Sequence, residues 1–291
     1  MPIDIEKLMK FKVPVVSQVL TPKDVAFYAL SVGLGRDPLD LHQLAFVDPT
    51  RELRIMPSMV LVLAHPGFWL ADPDSGVDPA AILHAAQSFK ILGLLPQEDQ
   101  VESRTCIVEV IDKGPGKAAL LHTESRLYDA GGNLFAVLDR TTFIRGGGGF
   151  GGSPGSATTR KEAPAADPDF VVDLATGREQ ALLYRLNGDL NPLHSDPAVA
   201  TEAGFDAPIL HGLCAMGVVT HALLRSLADY APEVIRAVEL RFSNPIFPGE
   251  TIRTEIWRDG RFRASVPARG VNVIEDGFAD VQAPPTATSG A

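Results

Sequence analysis

The pattern of apolar and polar residues indicates two groups of strands, one in each half of the chain. In the first half, residues 102–112, 119–129 and 134–145 are rich in β-branched and other apolar residues and are predicted to be long strands. The last two flank the sequence Asp-Ala-Gly-Gly-Asn, which is typical of a turn. We therefore predict that these two strands form an antiparallel hairpin.

The second half has a similar succession of strands and one long apolar segment. The predicted strands are residues 234–242, 251–258, 261–267 and 271–281. Asp259-Gly260 favours a type I′ hairpin turn, which needs positive φ at both central residues. Residues 210–230 are apolar nearly all round and would span about 31 Å as a helix. We predict that this helix is wrapped by the second sheet.

Residues 146–169 separate the two halves. This stretch is rich in Gly, Pro, Ser and Ala and has no apolar periodicity. We predict an N-terminal domain over residues 1–145, a linker over 146–169 and a C-terminal domain over 170–291. The fold class is α+β, with two antiparallel sheets, each curled around a helix, of which the second helix is long and complete.

Composition restricts the classes of function. The chain has 291 residues with 45% hydrophobic content, which allows a sizeable core. No apolar run reaches the roughly 18 residues of a membrane helix, and the first residues lack the profile of a signal peptide. The net charge of −10 argues against broad nucleic-acid binding. We expect neither a membrane nor a nucleic acid as a partner.

Cysteine use and the chain ends favour a cytoplasmic protein of bacterial type. Cys106 and Cys214 are the only cysteines and form no C-x-x-C pair, so we expect both to be buried free thiols. The chain ends in Thr-Ser-Gly-Ala, which does not match an S-K-L-type peroxisomal address. A peroxisomal location is therefore not expected.

The densest chemistry of the chain lies at residues 184–194, Y-R-L-N-G-D-L-N-P-L-H. Asp189 and His194 provide a carboxylate and an imidazole that can share one water molecule, as acid/base addition or removal of water requires. Asn191 lies between them and can position the water or hold the carboxylate. Asp189 alone or His194 alone is more often structural, in a turn or at a helix start, and spacing alone leaves the structural and the catalytic interpretations open.

Gly212 is the candidate donor for an oxyanion. It lies at the expected start of the long helix, where unpaired N–H groups and the helix dipole stabilise negative charge. Close packing of the helix end is the structural alternative, and spacing does not decide between them.

Two other patterns are not expected to bind cofactors. Gly146, Gly148 and Gly151 match G-x-G-x-x-G, but they follow a hairpin rather than opening a helix, so we predict a flexible or close-packed glycine turn and no nicotinamide site. No metal site is expected either, because metal-ligand spacing is missing among the other histidines. These are His42, His65, His122 and His221.

Longer segments resemble a known family. Y-R-L-N-G-D-L-N-P-L-H-S-D-P, followed by A-P-I-L-H-G, resembles the signature of the MaoC-like, (R)-specific (type-2) enoyl-CoA hydratases. In the first half, D-V-A-F-Y-A-L-S-V-G, I-L-H-A-A-Q-S-F, V-I-D-K-G-P-G and G-G-G-G-F-G-G are similar to segments of the two-domain form. The resemblance covers residues 24–281. It implies a double hot dog, in which each unit is a sheet wrapped around a helix.

The resemblance also implies roles for individual residues. Asp189 and His194 would be the catalytic dyad, Asn191 would support them, and the Gly212 amide would be the oxyanion donor. The catalytic unit would be the second hot dog. The first would lack a dyad and would accommodate the acyl chain.

A path for the acyl-CoA substrate is implied as well. The residues placed on it are His84, Ala85, Lys113, Leu190, Pro192, Leu193 and Phe242. At Ala85 the family usually has glycine, and the extra methyl group would narrow or reshape the pocket. Lys113 would help to bind a CoA phosphate, although a lysine at the end of a strand is usually just solvated.

Together these expectations give one function: reversible syn hydration of trans-2-enoyl-CoA to (3R)-3-hydroxyacyl-CoA in fatty-acid or related acyl-CoA metabolism. No cofactor is expected, because coenzyme A is part of the substrate. We expect a homodimer, although internal pairing of the two hot dogs also allows a monomer. Two alternatives stay open, a dehydratase for 3-hydroxyacyl thioesters on acyl carrier protein and a non-catalytic acyl-CoA-binding subunit.

Overall fold

The computed structural model describes residues 2–155 and 161–282, and within them the chain forms ten strands and six α-helices. The strands are β1 (Val16–Val19), β2 (Ile82–Ile91), β3 (Gln100–Asp112), β4 (Ala119–Tyr128), β5 (Leu134–Ile144), β6 (Phe170–Ala175), β7 (Ile235–Phe242), β8 (Thr251–Ile256), β9 (Arg261–Val266) and β10 (Val271–Val281). The α-helices are α1 (Ile5–Lys10), α2 (Pro22–Ser31), α3 (Leu41–Val47), α4 (Gln180–Tyr184), α5 (Pro197–Glu202) and α6 (Gly212–Leu227). Residues 156–160 of the predicted linker and the C-terminal residues used to argue for location lie outside the described residues.

All ten strands belong to one antiparallel sheet, in the order β1-β3-β4-β5-β2-β7-β10-β9-β8-β6. The first five come from the first half of the chain and the last five from the second half. The halves meet where β2 pairs with β7, from Ala86 opposite Arg241 to Lys90 opposite Ala237. The predicted α+β double hot dog is confirmed, and its two sheets are joined edge to edge through this pair.

Helix α6 packs on the inner face of this sheet, and Leu213 to Leu224 are buried without a break. Its contact with the first half is close, since a Cβ at Gly217 would lie 2.5 Å from Val32 Cγ1. The helix is shorter than the predicted 210–230, because Asp229 and Tyr230 have positive φ and cannot continue it. Neither α6 nor any other helix in the described part of the chain is long and apolar enough to cross a membrane.

The inner face of the first half is covered differently. A buried 3-10 helix, Pro57–Leu61, packs there against β2, β5 and α6. It has 5 residues, whereas α6 has 16. A small cavity remains between this short helix, α6 and strands β2 to β5.

Strand prediction worked best where the apolar alternation was regular. The hairpin of β4 and β5 is confirmed around the turn at residues 129–133, as are the four strands β7 to β10. Strands β1, β2 and β6 lie outside the predicted strands. In β2 the register against β5 shifts between His84 and Ala86, so a β-bulge at Ala85 interrupts the alternation that would have indicated a strand.

Two local predictions were wrong. In the turn between β8 and β9 only Gly260 has positive φ, and Trp257 N donates to Arg261 O across a three-residue loop, so the turn is not type I′. Cys214 is buried as predicted, but Cys106 is exposed. The two-residue period of β3 directs Thr105 toward the inner face and its neighbour Cys106 toward solvent.

The glycine-rich stretch begins as a tightly packed loop against the end of β3. The Asp112 carboxylate accepts hydrogen bonds from the backbone N–H groups of Gly114, Gly149, Gly151 and Gly152, at 2.7–3.2 Å. These bonds, that of Gly149 first, lower the pKa of Asp112 to about 2. The glycines serve close packing on this carboxylate, which agrees with the prediction of a glycine turn. The division into domains at residues 145 and 170 stays a prediction.

Candidate active site

The segment that carries Asp189 lies between two short turns of 3-10 helix. The first, Arg185–Asn187, ends at Gly188, whose φ of 117° favours glycine because it has no Cβ. The second, Pro192–His194, begins with Asn191, whose side-chain oxygen accepts from Leu193 N at 3.1 Å. Asp189 Oδ1 accepts from Asn191 N at 3.2 Å. The backbone N–H of Asn191 thus holds the Asp189 carboxylate, and the Asn191 side chain stabilises the turn that carries His194.

His194 is buried and its tautomer is fixed by a main-chain contact. Its Nδ1 lies 2.8 Å from the carbonyl oxygen of Ile209. Because a carbonyl only accepts, Nδ1 carries the proton, and Nε2 of the neutral ring is left as the acceptor. The ring therefore presents a base on its Nε2 side.

Asp189, His194 and His211 come together in space. One carboxylate oxygen and one nitrogen from each ring lie within 4.8 Å of one another. A water making two hydrogen bonds of about 2.8 Å at a tetrahedral angle separates its two partners by roughly 4.6 Å. This upper limit of 4.8 Å is compatible with one water shared by the acid and the base that the sequence analysis selected.

His211 is the site residue that sequence reasoning missed. Its ring stacks on that of His194, with centroids 3.8 Å apart and planes inclined by 28°. Its Nε2 lies 3.2 Å from the main-chain oxygen of Asp189 and donates to it, while Nδ1 has no partner within the described residues. The only sequence signal was its place directly before Gly212, and a lone histidine at a helix start is usually structural.

The charges of the site favour an ionised Asp189 beside neutral histidines. Burial opposes ionisation of Asp189, but the protonated forms of the nearby histidines, His211 first, and the charge of Arg140 outweigh it and hold the pKa of the carboxyl below its usual range. Burial lowers the pKa of His194 although Asp189 opposes this, and burial together with His194 lowers the pKa of His211 to about 3. At neutral pH both rings are therefore uncharged.

The same three side chains form a possible metal-ligand set, but their orientation is poor for it. The lone pair of an imidazole nitrogen lies in the plane of its ring, and the rings of His194 and His211 are stacked. Lone pairs of stacked rings run side by side, whereas Zn²⁺ needs ligands converging at about 2.0–2.1 Å. The arrangement fits a water-binding acid/base pair better than an ion site.

Gly212 occupies the first turn of α6, which has no side-chain cap. The first N–H groups of a helix have no partner within the helix, so this end presents unpaired donors and the positive end of the helix dipole. A Cβ on Gly212 would lie 3.2 Å from the ring of Phe242. The absence of a side chain therefore lets Phe242 lie directly over the helix start, and both interpretations of this glycine, packing and donor, are compatible.

Strand β2 of the first half reaches this site through His84. Its ring is 4.9 Å from that of Phe242, centroid to centroid. His84 Nε2 lies 3.2 Å from the carbonyl oxygen of Ala86, which brackets the bulge at Ala85. Burial, and after it the charge of Arg140, holds the pKa of His84 well below its usual range, whereas the charge of Asp189 acts in the opposite direction. The structure thus brings His84 and Phe242 to the helix start.

The other predicted substrate residues are exposed or partly buried. Lys113 is exposed and donates to the carbonyl oxygen of Pro154 at 3.2 Å. Leu190 is 61% exposed and Pro192 is exposed, while Leu193 is partly buried. Their substrate contacts stay predictions, because the contacts that the structure shows for them are within the chain.

Comparison with known families divides the chain in the same two halves as the sheet. The model of the MFE-2 hydratase 2 N-terminal domain matches residues 19–146. The model of the MaoC like domain matches residues 159–275. The second match contains Asp189, His194 and Gly212.

Individual relatives are similar over nearly the whole chain. The chain is 39% identical to 3-hydroxyacyl-thioester dehydratase Y of Mycobacterium tuberculosis over 249 residues, which cover 84% of each protein. It is 34% identical to the peroxisomal enoyl-CoA hydratase 2 of Arabidopsis thaliana, with 94% of each covered. The crystal structure of a MaoC-like dehydratase from Phytophthora capsici superposes with a TM-score of 0.84 at 30% identity, covering 98% of this chain and 100% of that one. The chain therefore belongs to the MaoC-like, type-2 enoyl-CoA hydratases in their two-domain, double-hot-dog form.

Proposed function

We propose that the protein catalyses reversible syn hydration of trans-2-enoyl-CoA to (3R)-3-hydroxyacyl-CoA. The observation that carries the proposal is the pair of half-buried Asp189 and buried His194, close enough for one shared water, beside the uncapped start of α6. The catalytic residues are Asp189 and His194, with Asn191 as their support and the Gly212 amide as the oxyanion donor. Relatives named as an enoyl-CoA hydratase and a thioester dehydratase support the same chemistry.

The hydration step uses His194 as the base. Nε2 accepts one proton of the shared water while the water oxygen bonds to C3 of the substrate. Asp189 accepts a hydrogen bond from the same water and stabilises the imidazolium that forms. The electron pair of the C2=C3 bond moves toward C2 and the thioester oxygen, so negative charge develops on that oxygen.

The second half of the reaction places this charge at the start of α6. The Gly212 N–H donates to the thioester oxygen, aided by the positive end of the helix dipole. The imidazolium of His194 then returns the proton to C2. Hydroxyl and proton arrive from the same side, because both come from one water held by one pair of side chains, and the addition is therefore syn.

No redox or group-transfer step occurs in this scheme, so the proposed reaction needs no cofactor besides the coenzyme A of its substrate. Dehydration of a 3-hydroxyacyl thioester is the same reaction run backwards. His84 and Phe242 are proposed to line the acyl path, together with Ala85, Leu190, Pro192 and Leu193, and Lys113 to contact a CoA phosphate. The homodimer and the cytoplasmic location stay predictions.

A direct assay tests the proposed function. Purified protein is expected to remove the enoyl-thioester absorbance of crotonyl-CoA or a longer trans-2-enoyl-CoA, and chiral analysis is expected to find the (3R) product. Enoyl thioesters of acyl carrier protein with the same acyl chains are measured alongside. If these react faster than the CoA thioesters, the protein would instead be a dehydratase for thioesters on acyl carrier protein. A folded protein that hydrates neither thioester would exclude catalysis and favour an acyl-CoA-binding subunit.

We expect kcat/KM for hydration to change little between about pH 6.5 and 8 and to fall at lower pH, below the ordinary imidazole pKa of about 6.5. Burial lowers the pKa of His194, so the base stays unprotonated until the pH drops below that value. Asp189, whose pKa is also held down, stays ionised over the same range. Initial rates at low substrate concentration measure the profile, and an acid limb centred above pH 6.5 would contradict a buried neutral His194.

A further inference from the structure

A cavity lined by both polar and apolar side chains lies in the first half of the molecule, beside the short helix Pro57–Leu61. Its volume is about 40 Å³, which is the space of a few water molecules. Leu213, the neighbour of Gly212 on α6, forms part of its wall. The polar residues that line it are His65, Gln87, Thr105, Thr123, Ser125 and Arg140.

Arg140 is the unusual member of this lining. It sits in β5 opposite Gln87 on one side and Thr123 on the other, and its Nε is shut off from solvent without a hydrogen-bond partner in the described residues. None of the ion pairs found among residues 2–155 and 161–282 includes it. Arg140 as a whole is half-buried, and its guanidinium stays charged without a carboxylate paired to it.

The remaining groups of the cavity add donors but no negative charge. His65 Nδ1 accepts from Gly67 N at 3.1 Å, so the proton of the neutral ring is on Nε2 and available to a ligand. Burial, with Arg140 nearby, lowers the pKa of His65 to about 4, which keeps this ring neutral. Thr105 and Ser125 join through their hydroxyl groups at 2.7 Å. The cavity is therefore built around one unpaired positive charge.

The negative charge of Asp189 partly compensates Arg140, but Asp189 makes no hydrogen bond to Arg140 among the described residues. It acts through space, raising the pKa of Arg140 against the larger lowering by burial. Leu213 in the cavity wall directly follows the proposed oxyanion donor in the chain, which places the cavity beside the start of α6.

We propose that this cavity binds a carboxylate at the far end of the substrate's acyl chain, held by Arg140. The proposal rests on the proposed hydration of enoyl-CoA and specifies its substrate class as trans-2-enoyl thioesters with an anionic tail. A planar guanidinium pairs with a carboxylate through two parallel hydrogen bonds, and the surrounding hydroxyl and imidazole donors complete the site. The small volume suits a terminal group rather than a whole acyl chain.

The test compares two trans-2-enoyl-CoA substrates of equal chain length, one ending in a methyl group and one in a carboxylate, over several lengths. The wild-type protein is expected to prefer the carboxylate-ended substrate in kcat/KM by about tenfold or more, the scale of a charged hydrogen-bonded pair. Arg140→Met is expected to lose that preference mainly through a higher KM for the carboxylate-ended substrate. Arg140→Lys should retain part of it.

Arg126→Met is the matched control, because Arg126 lies on the adjacent strand β4 with a side chain that is 53% exposed and paired with Glu124. It should leave the preference unchanged. Two results would overturn the proposal. One is a wild type that prefers the methyl-ended substrate. The other is an Arg140→Met variant with kcat/KM lowered equally for both substrates, in which case Arg140 would act on the catalytic pair. A wild-type protein that hydrates neither substrate would instead contradict the proposed function, on which the inference rests. Melting temperatures of all variants establish that they are folded.

Discussion

Asp189→Asn and His194→Ala are each expected to lower kcat for enoyl-CoA hydration by at least about a hundredfold, the scale of a lost general acid or base. The asparagine keeps the size of Asp189 but removes the negative charge that holds the water and stabilises the imidazolium. The alanine removes Nε2, the proposed proton acceptor. Steady-state rates on a trans-2-enoyl-CoA measure both effects, and KM should change much less than kcat.

A matched control for Asp189→Asn lies in the same segment. Asp196 caps α5 by accepting from Ala198 N at 2.8 Å, and Asn caps a helix equally well. Asp196→Asn should therefore leave the rate close to that of the wild type. The double variant of Asp189 and His194 should lose little more than either single variant, because two groups that act on one water fail together. Near-normal rates in folded single variants would refute the assignment of the pair.

Gly212→Pro is the second substitution with a large expected effect. Proline removes the N–H that is proposed to bind the thioester oxygen, and loss of one such donor costs about 10²–10³ in kcat. Proline is favoured at the first position of a helix, and the ψ of 135° at His211 suits a residue before proline, so α6 is expected to form. The hydration rate and the melting temperature are measured together.

Gly212→Ala separates the two interpretations of this glycine. Its Cβ meets the Phe242 ring at 3.2 Å, as the proline Cβ would, but its N–H remains. We expect the alanine variant to lose far less activity than the proline variant, because the ring has only to shift by a few tenths of an ångström. Equal losses in the two variants would show that Gly212 serves packing alone, and the oxyanion donor would then have to be sought elsewhere.

Local sequence was sufficient wherever a feature depends on neighbours along the chain. Regular alternation identified β3, β4 and β5 and the four strands β7 to β10, and continuous apolar character identified α6. Asp189, Asn191 and His194 were found because a short segment with a glycine and a proline holds them together. The glycine turn was also anticipated, although not its packing against Asp112, since its glycines follow a hairpin and open no helix.

Features that depend on contacts between distant segments could not be predicted from the sequence. The bulge at Ala85 hid β2, although this strand joins the two halves of the sheet. His211 was passed over because only folding stacks it on His194. The exposure of Cys106 depends on the face of β3 on which it lies, and the loop at Gly260 depends on the register of β8 and β9, which pattern alone does not specify.

The sequence alone was sufficient for the α+β fold class, which follows from periodicity, for the family, which follows from the resemblance of long segments, and for the candidate reacting groups, which lie in one contiguous motif. The tertiary structure alone decided that the histidines of the site are buried and neutral, that the two sheets are one, and that Arg140 lies unpaired in a cavity beside the proposed acyl path. Burial, charge compensation and empty space are properties of packed segments far apart in the chain, so no local pattern could specify them.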